Sequence, residues 1–82
     1  MSVSELNDRL IRCFSAVFPR LAIEDIPAAR LESVEEWDSL AALRLVAVLE
    51  EEFGLRIDLS DLQELSSFKT IERYLLKRGD VS

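Results

Sequence analysis

Few side chains in this sequence are equipped for covalent chemistry, and one serine stands apart from the others. The 82 residues include no histidine and a single cysteine, so there is no imidazole base and no cysteine pair to activate a nucleophile or grip a metal. No glycine-rich phosphate loop occurs either. Carboxylates are plentiful, but they fall in runs such as Glu50-Glu51-Glu52, which read as exposed surface and not as an acid–base pair in a pocket. Cys13 sits beside Phe14 in an apolar stripe, where a thiol packs, and it lacks the positive surroundings a catalytic thiolate needs. Ser39 is different. In Trp37-Asp38-Ser39-Leu40 it follows an aspartate suited to cap a helix, which puts its hydroxyl at the first helical position, pointing outward. The chain thus presents a reachable hydroxyl without the apparatus of an enzyme.

The element that holds Ser39 is a helix running from Asp38 to Phe53, with Gly54 placed to end it in a left-handed conformation. At about 100° per residue, Ala42, Leu45, Val46, Leu49 and Phe53 share one arc, the expected core stripe. Leu40, Leu43 and Ala47 share a second arc on the other side. A helix that serves only its own fold has no need of that second strip.

The other elements follow from caps and periodicity. Ser2-Val3-Ser4-Glu5 fits a capping box, and Val3, Leu6, Leu10, Phe14 and Val17 predict a first helix from about Ser4 to Phe18, ended by Pro19. Residues 19–37 form a long crossover that Leu21, Ile23, Ile26, Leu31 and Val34 should pin across the bundle, with a short turn at Pro27-Ala28-Ala29-Arg30. Trp37 is expected to anchor its end by packing. After Gly54, Leu55-Arg56-Ile57 reads as an extended connection. Asp58 to Asp61 should cap a short helix reaching about Leu65, with Leu59, Leu62 and Leu65 inward. Ser66-Ser67 then caps a last helix with Phe68, Ile71 and Leu75 inside, Tyr74 and Leu76 at its flanks, and Gly79 after Lys77-Arg78 as its stop. The expected fold is all-α: a small four-helix bundle of three main helices and one short one, with a long first crossover, in a single domain over residues 1–82.

Composition narrows the function classes. The formal net charge is −6, which opposes binding to nucleic acid phosphates. Between Glu35 and Glu64 nine acids face only Arg44 and Arg56, so the whole acidic excess surrounds the central helix. Such a run can simply be a solvated face, or it can steer basic partners toward Ser39. A lone cysteine suits a reducing compartment, and no apolar run is long enough to span a bilayer. A cytoplasmic monomer without membrane attachment is expected.

From Asp38 to Leu75 the chain resembles the acyl carrier proteins: Asp-Ser-Leu opening a helix, then Leu-Glu-Glu-Glu-Phe at residues 49–53, a short helix and a closing helix. The helix count and the long loop before Ser39 extend the likeness over nearly the whole chain. The resemblance implies a non-catalytic carrier that is the substrate of a phosphopantetheinyl transferase. Ser39 would receive phosphopantetheine from coenzyme A, with magnesium in the transferase, and the arm's thiol would hold acyl groups as thioesters. Asp38 would help the transferase place its metal. Leu40, Leu43 and Ala47 would form a docking strip, with Arg44 on the same exposed side and Glu50 and Glu51 as contacts for basic docking surfaces. Partners implied are the transferase, an acyl- or aminoacyl-loading ligase, and downstream biosynthetic enzymes.

Two departures from the family pattern bear on the pathway. Arg44 lies where many carriers of fatty acid synthesis have an acid, and Trp37 where others often have a small residue. They point toward a fatty-acid-like, polyketide or other specialised pathway and away from housekeeping lipid synthesis. An aminoacyl or peptidyl carrier, and an unmodified helical interaction module, are the alternatives.

Overall fold

Serine and aspartate caps start each long helix in the computed structural model, which describes residues 2–79 and 81. The Ser2 side chain accepts the Glu5 N–H at 3.1 Å, beginning α1 (Val3–Val17) one residue earlier than the periodicity predicts. Asp38 caps α2 (Ser39–Phe53), and Gly54 closes it at φ 61°, in the left-handed region that a Cβ disfavours. Ser67 caps α3 (Phe68–Arg78) through a reciprocal box with Thr70, and Gly79 follows at φ 74°. Two short 3₁₀ helices, Ile23–Ala28 and Leu59–Glu64, complete the order. The all-α bundle expected from the sequence is the observed fold, with one more short helix in the crossover than anticipated.

That extra helix replaces the turn expected at Pro27-Ala28-Ala29-Arg30. It begins earlier, where the Asp25 N–H reaches the Ala22 carbonyl at 2.9 Å, and it includes Pro27, which has no N–H to donate and helps keep the helix short. Of the five apolar residues expected to pin the crossover, Ile26 and Val34 are buried and Leu21 is half-buried, but Ile23 and Leu31 are exposed. Backbone bonds supply the remaining attachment. The Phe68 N–H donates to the Ala29 carbonyl at 3.0 Å, and the Leu31 N–H to that of Ser66 at 2.8 Å. The crossover is thereby tied to the start of α3 just before it delivers Trp37, Asp38 and Ser39.

The core is built on aromatic contacts. Phe14 of α1 meets Trp37, Phe68 and Phe18 with ring centroids 5.5, 5.3 and 6.0 Å apart. Leu10, Leu49, Phe53, Ile71 and Leu75 are fully enclosed around them. Side chains of this size each contribute roughly 1.5–3 kcal/mol on burial. Outside the core, Arg9 pairs with Glu52 at 2.7 Å and lies 4.7 Å over the Phe53 ring, joining α1 to the end of α2. The second 3₁₀ helix meets the bundle through its later residues, where Tyr74 of α3 donates its hydroxyl to Asp61 Oδ2 at 2.9 Å. Leu65 is buried and Leu62 half-buried, whereas Leu59, expected to face inward, is 67% exposed. Val3, at the first position of α1, is likewise exposed rather than part of the inner stripe.

Candidate functional site

The start of α2 is fixed by one side chain. Asp38 Oδ1 accepts the Ala41 N–H at 2.8 Å, and the Asp38 carbonyl accepts that of Ala42 at 2.9 Å. These bonds satisfy amide groups that the first turn otherwise leaves orphaned. Ser39 is the first helical residue and is exposed. Its hydroxyl projects from a helix end where amide dipoles favour an attached phosphate, with the Asp38 charge opposing.

Beyond Ser39, α2 has the two faces that its angular pattern indicates. Leu45, Val46, Leu49 and Phe53 are buried, while Leu40 is 61% exposed, Leu43 47%, and Ala47 also lies in solvent. One position differs: Ala41 is buried, and Ala42, assigned to the core by angle, is half-buried. The cause is a largely apolar groove of about 550 Å³ between the start of α2 and the second 3₁₀ helix. Ala42 lines it together with Leu31, Trp37, Leu43, Leu62 and Leu65, and Ser39 stands in the same wall. An exposed hydroxyl beside an open apolar groove fits a covalently held arm with an apolar load. The groove itself was not legible in advance, because it depends on how the crossover and the second 3₁₀ helix meet α2.

Trp37 packs as the sequence suggests. It is 4% exposed, edge-on to Phe14 at 79° and 5.4 Å from the Phe18 ring. Its indole Nε1 is buried with no hydrogen-bond acceptor among the described residues. A buried donor left unpaired costs about 1–3 kcal/mol, and nothing in the sequence signals it.

The acidic run divides on inspection. One carboxylate oxygen of Glu50 accepts the Ile57 N–H at 2.8 Å, holding the segment after α2. Glu52 pairs with Arg9. Glu51 is exposed and makes no ion pair among the described residues. Arg44 is exposed and shares a shallow depression with Arg20, Glu36, Asp38 and Leu40. It too has no ion pair among the described residues.

Cys13 is buried. Desolvation pushes its thiol pKa up to about 11, the Glu52 charge adds to that, and Arg9 and Arg12 oppose. A thiol so protonated is inert near neutral pH. Among the described residues no group of three or more His, Cys, Asp or Glu is arranged to hold a metal ion, and no helix is long and apolar enough to cross a membrane.

Searches of curated proteins and of solved structures found no match to this chain. The family model described as phosphopantetheine attachment site does match, over residues 8–75, a span that contains Asp38, Ser39, the groove and most of the bundle. The chain therefore belongs to the phosphopantetheine attachment-site family, as an acyl-carrier-like domain that bears a covalent phosphopantetheine and is itself non-catalytic.

Proposed function

We propose that Ser39 is the attachment residue and that the protein is a free-standing acyl carrier serving a specialised biosynthetic pathway, of polyketide or modified fatty-acid type. The observation that carries this reading is the exposed Ser39 hydroxyl at the head of α2, beside an apolar groove whose wall includes Leu43 and next to the uncovered Leu40. When bound, the arm supplies a terminal thiol that holds cargo as a thioester.

The chain's own residues take limited parts. The Ser39 oxygen forms the phosphoester bond, releasing its proton as the nucleotide half of coenzyme A leaves. Asp38 keeps the first turn rigid and faces the transferase, where its charge assists placement of that enzyme's metal. Leu40, Leu43 and Ala47 provide a modest apolar contact of the size a transient interface uses. Glu51 and Glu50 meet basic groups on the transferase, the loading ligase and downstream enzymes. Arg44 contributes a positive point within that face, which distinguishes the partners of this carrier from those reading a uniformly acidic helix. We place it in the cytoplasm, acting as a monomer.

Incubation with coenzyme A, magnesium and a broad-specificity phosphopantetheinyl transferase, followed by intact-mass measurement, tests the assignment. A gain of one phosphopantetheine that disappears in Ser39→Ala supports it. An unchanged mass, or a gain that persists in the variant, contradicts it and favours an unmodified interaction module.

A further inference from the structure

In a chain whose acids crowd around α2, the cations gather on α3. Both lysines of the sequence, Lys69 and Lys77, lie on that helix with Arg73 between them. Their four-residue spacing sets them along one ridge at intervals of about 6 Å. All three are exposed, and none makes an ion pair among the described residues. At about 100° per residue, Leu76 falls beside Lys69 in the same arc, across the helix from the buried Phe68, Ile71 and Leu75. It is 48% exposed. The acids nearby do not cancel this face. Glu72 accepts the Asn7 side-chain amide at 3.0 Å, and Glu32 pairs with Arg30 at 2.8 Å. Glu64 alone shares a depression with Arg73 and Lys77. Between the ridge and the crossover runs a groove of about 550 Å³, its wall including Pro27, Ala28, Ala29, Arg30, Lys69 and Arg73.

We propose that the outer face of α3, with the groove beside it, docks an acidic segment of a partner protein. Carboxylates of that segment meet Lys69, Arg73 and Lys77, and an apolar side chain rests on Leu76. Clustered cations recognise acidic motifs in this way, and a small apolar contact rimmed by charge is what a transient interface uses. The sign of charge is opposite to that of Glu51 on α2, so the two helices select different partners. A net charge of −6 repels an extended polyanion such as a nucleic acid or an anionic bilayer, whereas a short acidic segment meets only the local cations. Ser39 and its arm take no part, so this face stands whether or not the serine is modified.

A fluorescent peptide of four Glu-Leu-Gln-Ala repeats serves as the probe, with a Gln-Leu-Gln-Ala peptide as its neutral counterpart. Reductive ¹³C-methylation keeps lysine charge and places reporters at Lys69 and Lys77, besides the terminal amine. The acidic peptide should shift both lysine signals saturably, less so as salt rises, and the neutral peptide should not. By fluorescence anisotropy, Lys69→Gln, Arg73→Gln and Lys77→Gln combined should weaken binding at least about fivefold. Arg12→Gln, Arg20→Gln and Arg56→Gln combined remove the same charge from other exposed arginines and should change binding by less than about twofold. Leu76→Ser should weaken it several-fold. Urea melts verify that each variant is folded, and Arg73→Gln alone replaces the triple variant where that one is not. Lack of saturable binding overturns the proposal, as does equal weakening by the two triple variants or wild-type affinity in Leu76→Ser. Tighter binding to phosphatidylglycerol vesicles than to the peptide names a membrane as the occupant and overturns it. Self-association that the ridge variant abolishes names a second copy and overturns it likewise.

Discussion

At the residue scale, neighbours in sequence have separate jobs. Asp38 and Ser39 adjoin, but one is committed to the backbone and the other to solvent. Asp38→Ala removes the acceptor for the Ala41 N–H and should cost about 1 kcal/mol in urea unfolding, within a range of roughly 0.5–2. Asp38→Asn keeps a good cap and should stay within a few tenths of wild type, while slowing modification by the transferase because the charge is gone. If both variants are modified at the wild-type rate, Asp38 serves the fold alone. Cys13 gives a second prediction. Its native thiol ionises only near pH 11 and that of the unfolded chain near 9.0, so the folded state holds this proton more tightly. Its contribution to stability is full below about pH 9 and is lost as pH rises toward 11. At pH 8 a thiol reagent should therefore label no site in native apo protein and one, on the arm, in the holo form. Rapid labelling of native apo protein would show that Cys13 is not enclosed. Much of this was readable from residue types: the cap, the reachable serine and the packing cysteine. The unpaired Trp37 donor was not, because hydrogen-bond satisfaction is decided by tertiary neighbours.

At the element scale, α2 has one buried face and one uncovered face. Its two faces make opposite predictions. Leu49 is fully buried, and Leu49→Ala should cost roughly 2–5 kcal/mol as a core truncation. Leu43 is 47% exposed, and Leu43→Glu should shift stability by no more than about 0.5 kcal/mol while lowering the rate of modification or loading several-fold. Urea melts alongside initial rates check both. An unfolded Leu43→Glu would mean that the ridge is covered by the protein itself. The angular reading found these faces because a 3.6-residue period holds along a regular helix. It misassigned Leu59, because burial at the ends of elements depends on what covers them, and the second 3₁₀ helix leaves its first residue in solvent. The crossover shows the same limit. Its backbone bonds to α3 carry no side-chain signature, so the sequence suggested apolar pins where Ile23 and Leu31 are in fact exposed.

At the scale of the whole molecule, the acidic excess around α2 is partly structural. Glu50 holds Ile57 and Glu52 holds Arg9, which leaves Glu51 as the acid of that run best placed to meet a partner. Glu51→Lys should leave stability unchanged and reduce the apparent on-rate for a basic transferase several-fold at low salt, with the difference shrinking as ionic strength rises. Glu52→Gln should instead cost stability, by up to about 1 kcal/mol for a partly exposed pair, and change the on-rate less. Equal kinetic effects from both would mean that total charge, not position, guides the encounter. The proposed bond between Ser39 and phosphopantetheine is a narrower matter than any of these. Fragmentation mass spectrometry of transferase-treated protein locates that bond: the phosphopantetheine ion should appear on the peptide containing Ser39 and nowhere else. Modification at any other serine, or none in protein that remains folded, would contradict it.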